Sequence, residues 1–158
     1  MYDVAVIGCG IVGAAAAYEL SRYNCRVLVL EAKNDVANVT TKANSAILHA
    51  GYDPTPGTLM AETNVRGVAL AKELCEKLDV EREEIGSLVL AFGEEDERHL
   101  EKLYQQGLAN GVPGIELLTA DEVHALEPNV SDKVTAALYA PTAGIITPWS
   151  LTIGLAAT

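Results

Sequence analysis

The chain is short of positive charge, of cysteine and of long apolar runs, and each shortage removes a class of function. Its 11 Lys and Arg stand against 22 Asp and Glu, a formal net charge of −11. A nucleic-acid partner would want a basic face, so none is expected. The imbalance is uneven. Residues 1–70 hold five basic against six acidic side chains, whereas residues 71–158 hold six against sixteen. The near-neutral part suits an anionic ligand, and the acid runs beyond it read as solvated helix surface. Three cysteines, Cys9, Cys25 and Cys75, form no C-x-x-C and suggest no metal site. They read as small thiols in a reducing, cytoplasmic setting. Charges or glycines interrupt every apolar run before it reaches membrane-spanning length, and a secretory signal is not expected where Asp3 and a strand follow Met1 at once. What remains is a chain 49% apolar and 21% charged, of a length that builds an ordinary folded domain.

What is present is concentrated in the first thirty-one residues. Tyr2 to Ile7 is a β-branched apolar run, as expected of a strand buried on both faces. It enters Gly8-Cys9-Gly10-Ile11-Val12-Gly13, followed by the helix formers Ala14 to Leu20. A second strand, Arg26 to Leu30, ends on Glu31. Gly8 permits a tight turn, Gly10 lets a pyrophosphate approach the backbone, and Gly13 lets helix and strand pack closely. The helix N-terminus, from Ile11 and Val12 onward, offers amides to phosphate. Glu31 is placed to accept hydrogen bonds from a ribose diol, and an acid there disfavours a 2′-phosphate. Asn24 stands where such units commonly end the helix on glycine, and it is expected to serve as a left-handed cap.

Residues 32–56 are polar and broken by Asn, Thr, Ser, Gly and Pro. A simple nicotinamide enzyme would continue with another helix and strand. A long polar excursion instead favours a flavin dinucleotide, a larger ligand for a loop to wrap. Leu59–Leu78 then reads as an amphipathic helix with its apolar stripe in the core, 85–92 as a strand, and 93–110 as an acidic helix stopped by Gly111-Val112-Pro113-Gly114. Ile115–Leu118 reads as a strand, and Thr119-Ala120-Asp121-Glu122 as the capped start of a short helix. Val134–Tyr139 reads as a strand, and Pro148 opens a last helix that runs uncapped to Thr158. That ending implies an amino-terminal piece of a longer protein. The first strand would then keep an open edge, which favours association with another chain.

With these residues assembled, the chain resembles the amino-terminal part of the FAD-dependent oxidoreductases of the D-amino-acid oxidase superfamily, nearest to L-2-hydroxyglutarate and glycerol-3-phosphate dehydrogenases. The resemblance rests on Tyr2–Glu31, on Thr41-Lys42-Ala43-Asn44-Ser45-Ala46-Ile47-Leu48-His49-Ala50-Gly51, on Leu103–Gly114 and on Glu127-Pro128. In most relatives a small residue such as Gly stands at Ala46 and Ser at Ala50, differences that read as conservative.

The resemblance implies an α/β fold: a Rossmann-like, three-layer FAD-binding domain with a parallel sheet (1–84), the start of an inserted α+β substrate domain (85–140) and a return to the FAD domain (141–158). It implies FAD as cofactor, with Gly8, Gly10, Ile11, Val12, Gly13 and Glu31 at the ADP half and Thr41, Asn44 and Ser45 along the pyrophosphate and flavin. The implied reaction oxidises the CH–OH group of a small anionic substrate. His49 is the candidate base, since an imidazole titrates near neutrality; a structural histidine shaping the flavin loop is the other reading. Lys42 and Arg66 stand as an anion contact or as solvated cations, and Tyr52 is equally open. His99 and His124 read as surface residues. Oxidation of an amine by the same flavin, or a dinucleotide-binding module without turnover, are the competing functions. The electron acceptor and peripheral membrane association are left open by these residues.

Overall fold

A computed structural model describes residues 1–158. In chain order the elements are β1 (Val4–Ile7), α1 (Ile11–Leu20), β2 (Val27–Leu30), a 3₁₀ turn (Thr40–Lys42), β3 (Ile47–Leu48), α2 (Leu59–Leu78), β4 (Arg82–Glu83), β5 (Ser87–Ala91), α3 (Glu94–Asn110), β6 (Glu116–Thr119), α4 (Ala120–Leu126), β7 (Ala136–Ala140), β8 (Gly144–Ile146) and α5 (Pro148–Ala157). They divide into two units interleaved along the chain. One is Met1–Ala46, Lys72–Arg82 and Ile146–Thr158; the other is Ile47–Ala71 and Glu83–Ile145. No helix is long and apolar enough to cross a membrane.

The first unit is built on β1 and β2, which pair in parallel from Val4↔Val27 to Ile7↔Leu30. Parallel neighbours need a crossover, and α1 supplies it. α5 packs on α1, and Pro148 sits in its first turn, where a missing N–H costs nothing. From α2, Lys77 donates its Nζ to the Tyr18 hydroxyl, while the Arg22 guanidinium lies 5.3 Å from the centre of the same ring.

Two expectations fail here. β1 is not buried on both faces: Val4 and Val6 are half-buried, but Ala5 and Ile7 are exposed. α1 covers the Val6 side, where a Cβ on Gly13 would stand 3.5 Å from Val6 Cγ1, and β2 is the one strand paired with β1. Nor does Asn24 cap α1. The helix ends on Ser21 in ordinary right-handed geometry, with its N–H on the Ala17 carbonyl, and the chain turns again before Asn24.

The second unit centres on the antiparallel sheet β5-β7-β6, in register from Ser87↔Ala140 to Ala91↔Ala136 and from Glu116↔Tyr139 to Thr119↔Ala136. Leu100 and Leu103 of α3 pack with Val112, Ile115 and Leu138 as one core cluster. Leu118, Val123, Val134 and Ala137 form another. α3 ends on Gly111 at φ +77°, the left-handed cap that glycine takes without strain. α4 begins with a reciprocal capping box between Thr119 and Glu122. The short strands β3, β8 and β4 form a further sheet in that order.

The bounds of α2 match its periodicity, but its stripe does not. Leu59 and Leu70 are 74% and 43% exposed, and its buried positions are Ala61, Ala71 and Cys75. Small residues fill its buried positions, while Val65, Val68, Leu74 and Leu78 of the stripe are half-buried.

Candidate functional site

The turn from β1 into α1 is shaped by the absence of side chains. Gly8 takes φ +94°, a conformation that L side chains resist. A Cβ on Gly13 would stand 2.0 Å from the Gly8 carbonyl oxygen, so helix and turn meet at a distance no other residue allows. Gly10 is the N-cap in extended geometry and brings no capping side chain. The ladder of α1 starts with the Ala14 N–H on the Gly10 carbonyl at 2.9 Å. The amides of Ile11, Val12 and Gly13 precede that bond, at the positive end of the helix dipole.

The loop after β2 closes over this turn. The Ile11 amide donates to Thr41 Oγ1 at 3.1 Å, so a threonine thirty residues away supplies the cap that Gly10 lacks. Thr41 is buried, and its Oγ1 would be 3.0 Å from a Cβ at Gly10. The Ala37 amide donates to the Cys9 carbonyl at 2.9 Å, with Ala37 itself at φ +58°. Asn44 is spent on its own loop. Its Nδ2 donates to the carbonyls of Thr40 (3.2 Å) and Thr41 (2.7 Å), and its Oδ1 accepts the Ala46 amide at 2.7 Å. Ser45 is exposed. Between turn and loop lies an open cavity of about 570 Å³, lined by Gly8, Gly10, Ile11, Gly13, Thr41 and Asn44 among others.

Glu31 is fixed beside the same turn. Cys9 N–H donates to one carboxylate oxygen at 2.7 Å and Lys33 N–H to the other at 2.8 Å. These two bonds, Cys9 first, hold the carboxyl below its ordinary range, so it is ionised at neutral pH. Each oxygen accepts one bond from the backbone and keeps capacity for an outside donor. Burial, and then the Glu31 charge, raises the Cys9 thiol, which stays protonated.

The structure therefore brings Gly8, Gly10, Ile11, Gly13, Glu31, Thr41 and Asn44 together within one unit. The Val12 side chain is 80% exposed, and only its backbone belongs to the turn. His49 lies in the other unit, exposed, one residue past β3. Lys42 is turned onto Asn38 Oδ1 within its loop, and Arg66 is exposed on α2. Sequence reasoning missed Cys9, Lys33 and Ala37 as parts of the site. They act through backbone N–H and C=O groups, which every residue carries, so residue type gives no signal.

A Gly13 with no room for a methyl, the leading amides at the positive end of α1, with Ile11 capped by Thr41, and a pre-anchored carboxylate together fit a dinucleotide's diphosphate and ribose. A sequence model of the family described as FAD dependent oxidoreductase, DAO, matches residues 3–158. Among curated proteins, a glycerol 3-phosphate dehydrogenase of Caloramator mitchellensis is 53% identical over 156 residues, covering 99% of this chain and 32% of that protein. The mitochondrial L-2-hydroxyglutarate dehydrogenase of Dictyostelium discoideum is 36% identical over 149 residues, covering 92% of this chain and 33% of that protein. The chain thus spans about a third of the length of these relatives. Among solved structures, the dithionite-reduced L-α-glycerophosphate oxidase of Mycoplasma pneumoniae with FAD bound superposes with a TM-score of 0.93 at 36% identity, over 99% of this chain and 41% of that one.

Proposed function

This chain belongs to the family of FAD-dependent oxidoreductases, and from that premise we propose that the whole protein oxidises the CH–OH group of a small anionic hydroxy compound, of the glycerol-3-phosphate or L-2-hydroxyglutarate type. Relatives bearing those names match nearly the full chain, which supports the substrate class. The observation that carries the cofactor part of the reading is the pairing of Gly13, whose position excludes even a methyl, with a Glu31 already anchored by two backbone amides.

Gly8, Gly10, Gly13 and the amides of Ile11 and Val12 would cradle the pyrophosphate of FAD, and Glu31 would hold the adenosine ribose. Thr41, Asn44 and Ser45 would lie along the pyrophosphate and flavin, with Thr41 already capping the Ile11 amide and Asn44 shaping the loop. Bound flavin supplies the hydride acceptor for the substrate carbon. His49 takes the hydroxyl proton on an imidazole nitrogen, which leaves the carbonyl product. The thiols of Cys9, Cys25 and Cys75 are unpaired, which supports a reducing, cytoplasmic setting, and within these 158 residues the unpaired edge of β1 offers a place for a further strand, from the rest of the protein or from a second chain.

The test is anaerobic mixing of the full-length flavoprotein with glycerol-3-phosphate, L-2-hydroxyglutarate or glycine. Loss of the oxidised flavin band with one of the two hydroxy compounds is expected. Bleaching by glycine alone, or by none of the three, would contradict the substrate class.

A further inference from the structure

The segment Leu103–Gly114 carries part of the family resemblance and lies outside the glycine turn and its loop. In the structure its side-chain amides hold the stretch that follows His49. Asn110 Nδ2 donates to the Gly51 carbonyl at 2.9 Å and to the Pro54 carbonyl at 2.8 Å. Gln106 Nε2, one helical turn earlier on the same face of α3, donates to the carbonyls of Tyr52 (3.4 Å) and Asp53 (3.2 Å). Four consecutive carbonyls are thus held by two side chains.

The helix can come this close because of Gly107 between them. A Cβ there would stand 2.3 Å from Ile115 Cδ1 and 3.1 Å from Tyr52 Cβ. The stretch is also bent sharply at its start. Gly51 takes φ +104°, and a Cβ on it would lie 2.6 Å from Val65 Cγ2. Ala50 is 1% exposed and belongs to the core cluster that contains Leu100 and Leu103. On the other side of His49, Ile47 and Leu48 pair with Ile145 and Gly144 of β8. His49 is therefore held by strand pairing before it and by α3 after it, while its side chain stays exposed. Such an arrangement fixes a backbone without using the imidazole.

We propose that Gln106 and Asn110 are positioning residues that set where the His49 imidazole stands, by clamping the carbonyls of Gly51–Pro54 onto α3. This rests on the reading of His49 as the base. A clamp of this kind matters because a displacement of about 1 Å at a reacting group lowers a rate on the order of a hundredfold.

The test uses the full-length flavoprotein, glycerol-3-phosphate and anaerobic single-turnover flavin reduction. Asn110→Asp keeps the side-chain shape but removes its donors, and Gln106→Met keeps length without donors. Each is measured alone and combined with His49→Gln, with flavin content and unfolding midpoint checked for every variant. We expect His49→Gln to lower the reduction rate by about 100-fold or more. Each clamp variant alone should lower that rate by about 10- to 100-fold with flavin retained. In the His49→Gln background the same changes should lower it by no more than about twofold, the sign of a shared pathway. Equal losses in both backgrounds would overturn the proposal, since the clamp would then act on structure generally. So would an unchanged rate in the single variants. If His49→Gln itself reduces flavin as the parent does, the base assignment fails and the positioning role with it, a result distinct from either of the others. Where Asn110→Asp yields no folded flavoprotein, Gln106→Met carries the same decision through its weaker contacts.

Discussion

Ala46→Gly should stabilise the protein, and the size of the gain follows from the backbone. Ala46 sits at φ +61°. A left-handed conformation costs a residue with a Cβ about 1–2 kcal/mol, because the Cβ crowds the following carbonyl. Glycine escapes that cost but loses about 0.5–1 kcal/mol through its freer unfolded chain. The balance favours glycine by about 0.5–1 kcal/mol. No hydrogen bond changes, since Ala46 engages Asn44 Oδ1 through its N–H and Ile146 through its carbonyl, both backbone groups. The methyl is only half-buried, so little apolar burial is lost. Urea unfolding of the protein with and without the substitution should show a higher midpoint at an unchanged slope, the sign of altered stability and not of altered compactness. An equal or lower midpoint would refute the strain argument and mean that Ala46 gains more from its methyl than its backbone loses.

Gly13→Ala should give a full-length protein purified without flavin absorbance, because its methyl would meet the Gly8 carbonyl at 2.0 Å and push α1 off the turn. A yellow variant with normal flavin content would contradict the close-approach reading. The carboxyls of Glu31 and Glu122 are both held below the usual range by hydrogen bonds, from the Cys9 and Lys33 amides and from Thr119 respectively. Each therefore stabilises the folded chain above its unfolded pKa, about 4.5, and that contribution disappears as pH falls through the lower folded value. The unfolding midpoint of Glu122→Gln should accordingly lie below that of the parent at pH 7 and converge with it in acid; a gap that persists below both values would exclude the linkage.

The long elements were legible because their signals are periodic or positional. Helix α2 runs from Leu59 to Leu78 as its spacing implies, and α3 stops at a glycine in the left-handed region. Thr119 and Glu122 announce α4 three residues apart, and the structure pairs them as such spacing allows. β3, β4 and β8 gave no warning. Strands of two or three residues are made by their partners and not by their own pattern. The faces of β1 and α2 were misread for a related reason: an apolar residue states that it tolerates burial, not that something covers it. Ala46 is the clearest correction. As a change of composition from glycine it is conservative, but its positive φ makes it a conformational change. Within the site, the glycines and Glu31 could be read from spacing. The contacts through the backbone of Cys9, Lys33 and Ala37, and the reach of Thr41 across thirty residues to Ile11, depend on folding alone.

The glycine turn and Glu31 are expected to hold an adenine dinucleotide together. The most direct measurement is equilibrium binding of FAD to the full-length apoprotein, compared with Glu31→Ala. Losing hydrogen bonds to a charged group costs about 1.5–3 kcal/mol, so the dissociation constant should rise by about 10- to 100-fold with the fold intact. An unchanged dissociation constant, in a variant that unfolds like its parent, would mean that the ribose is held elsewhere.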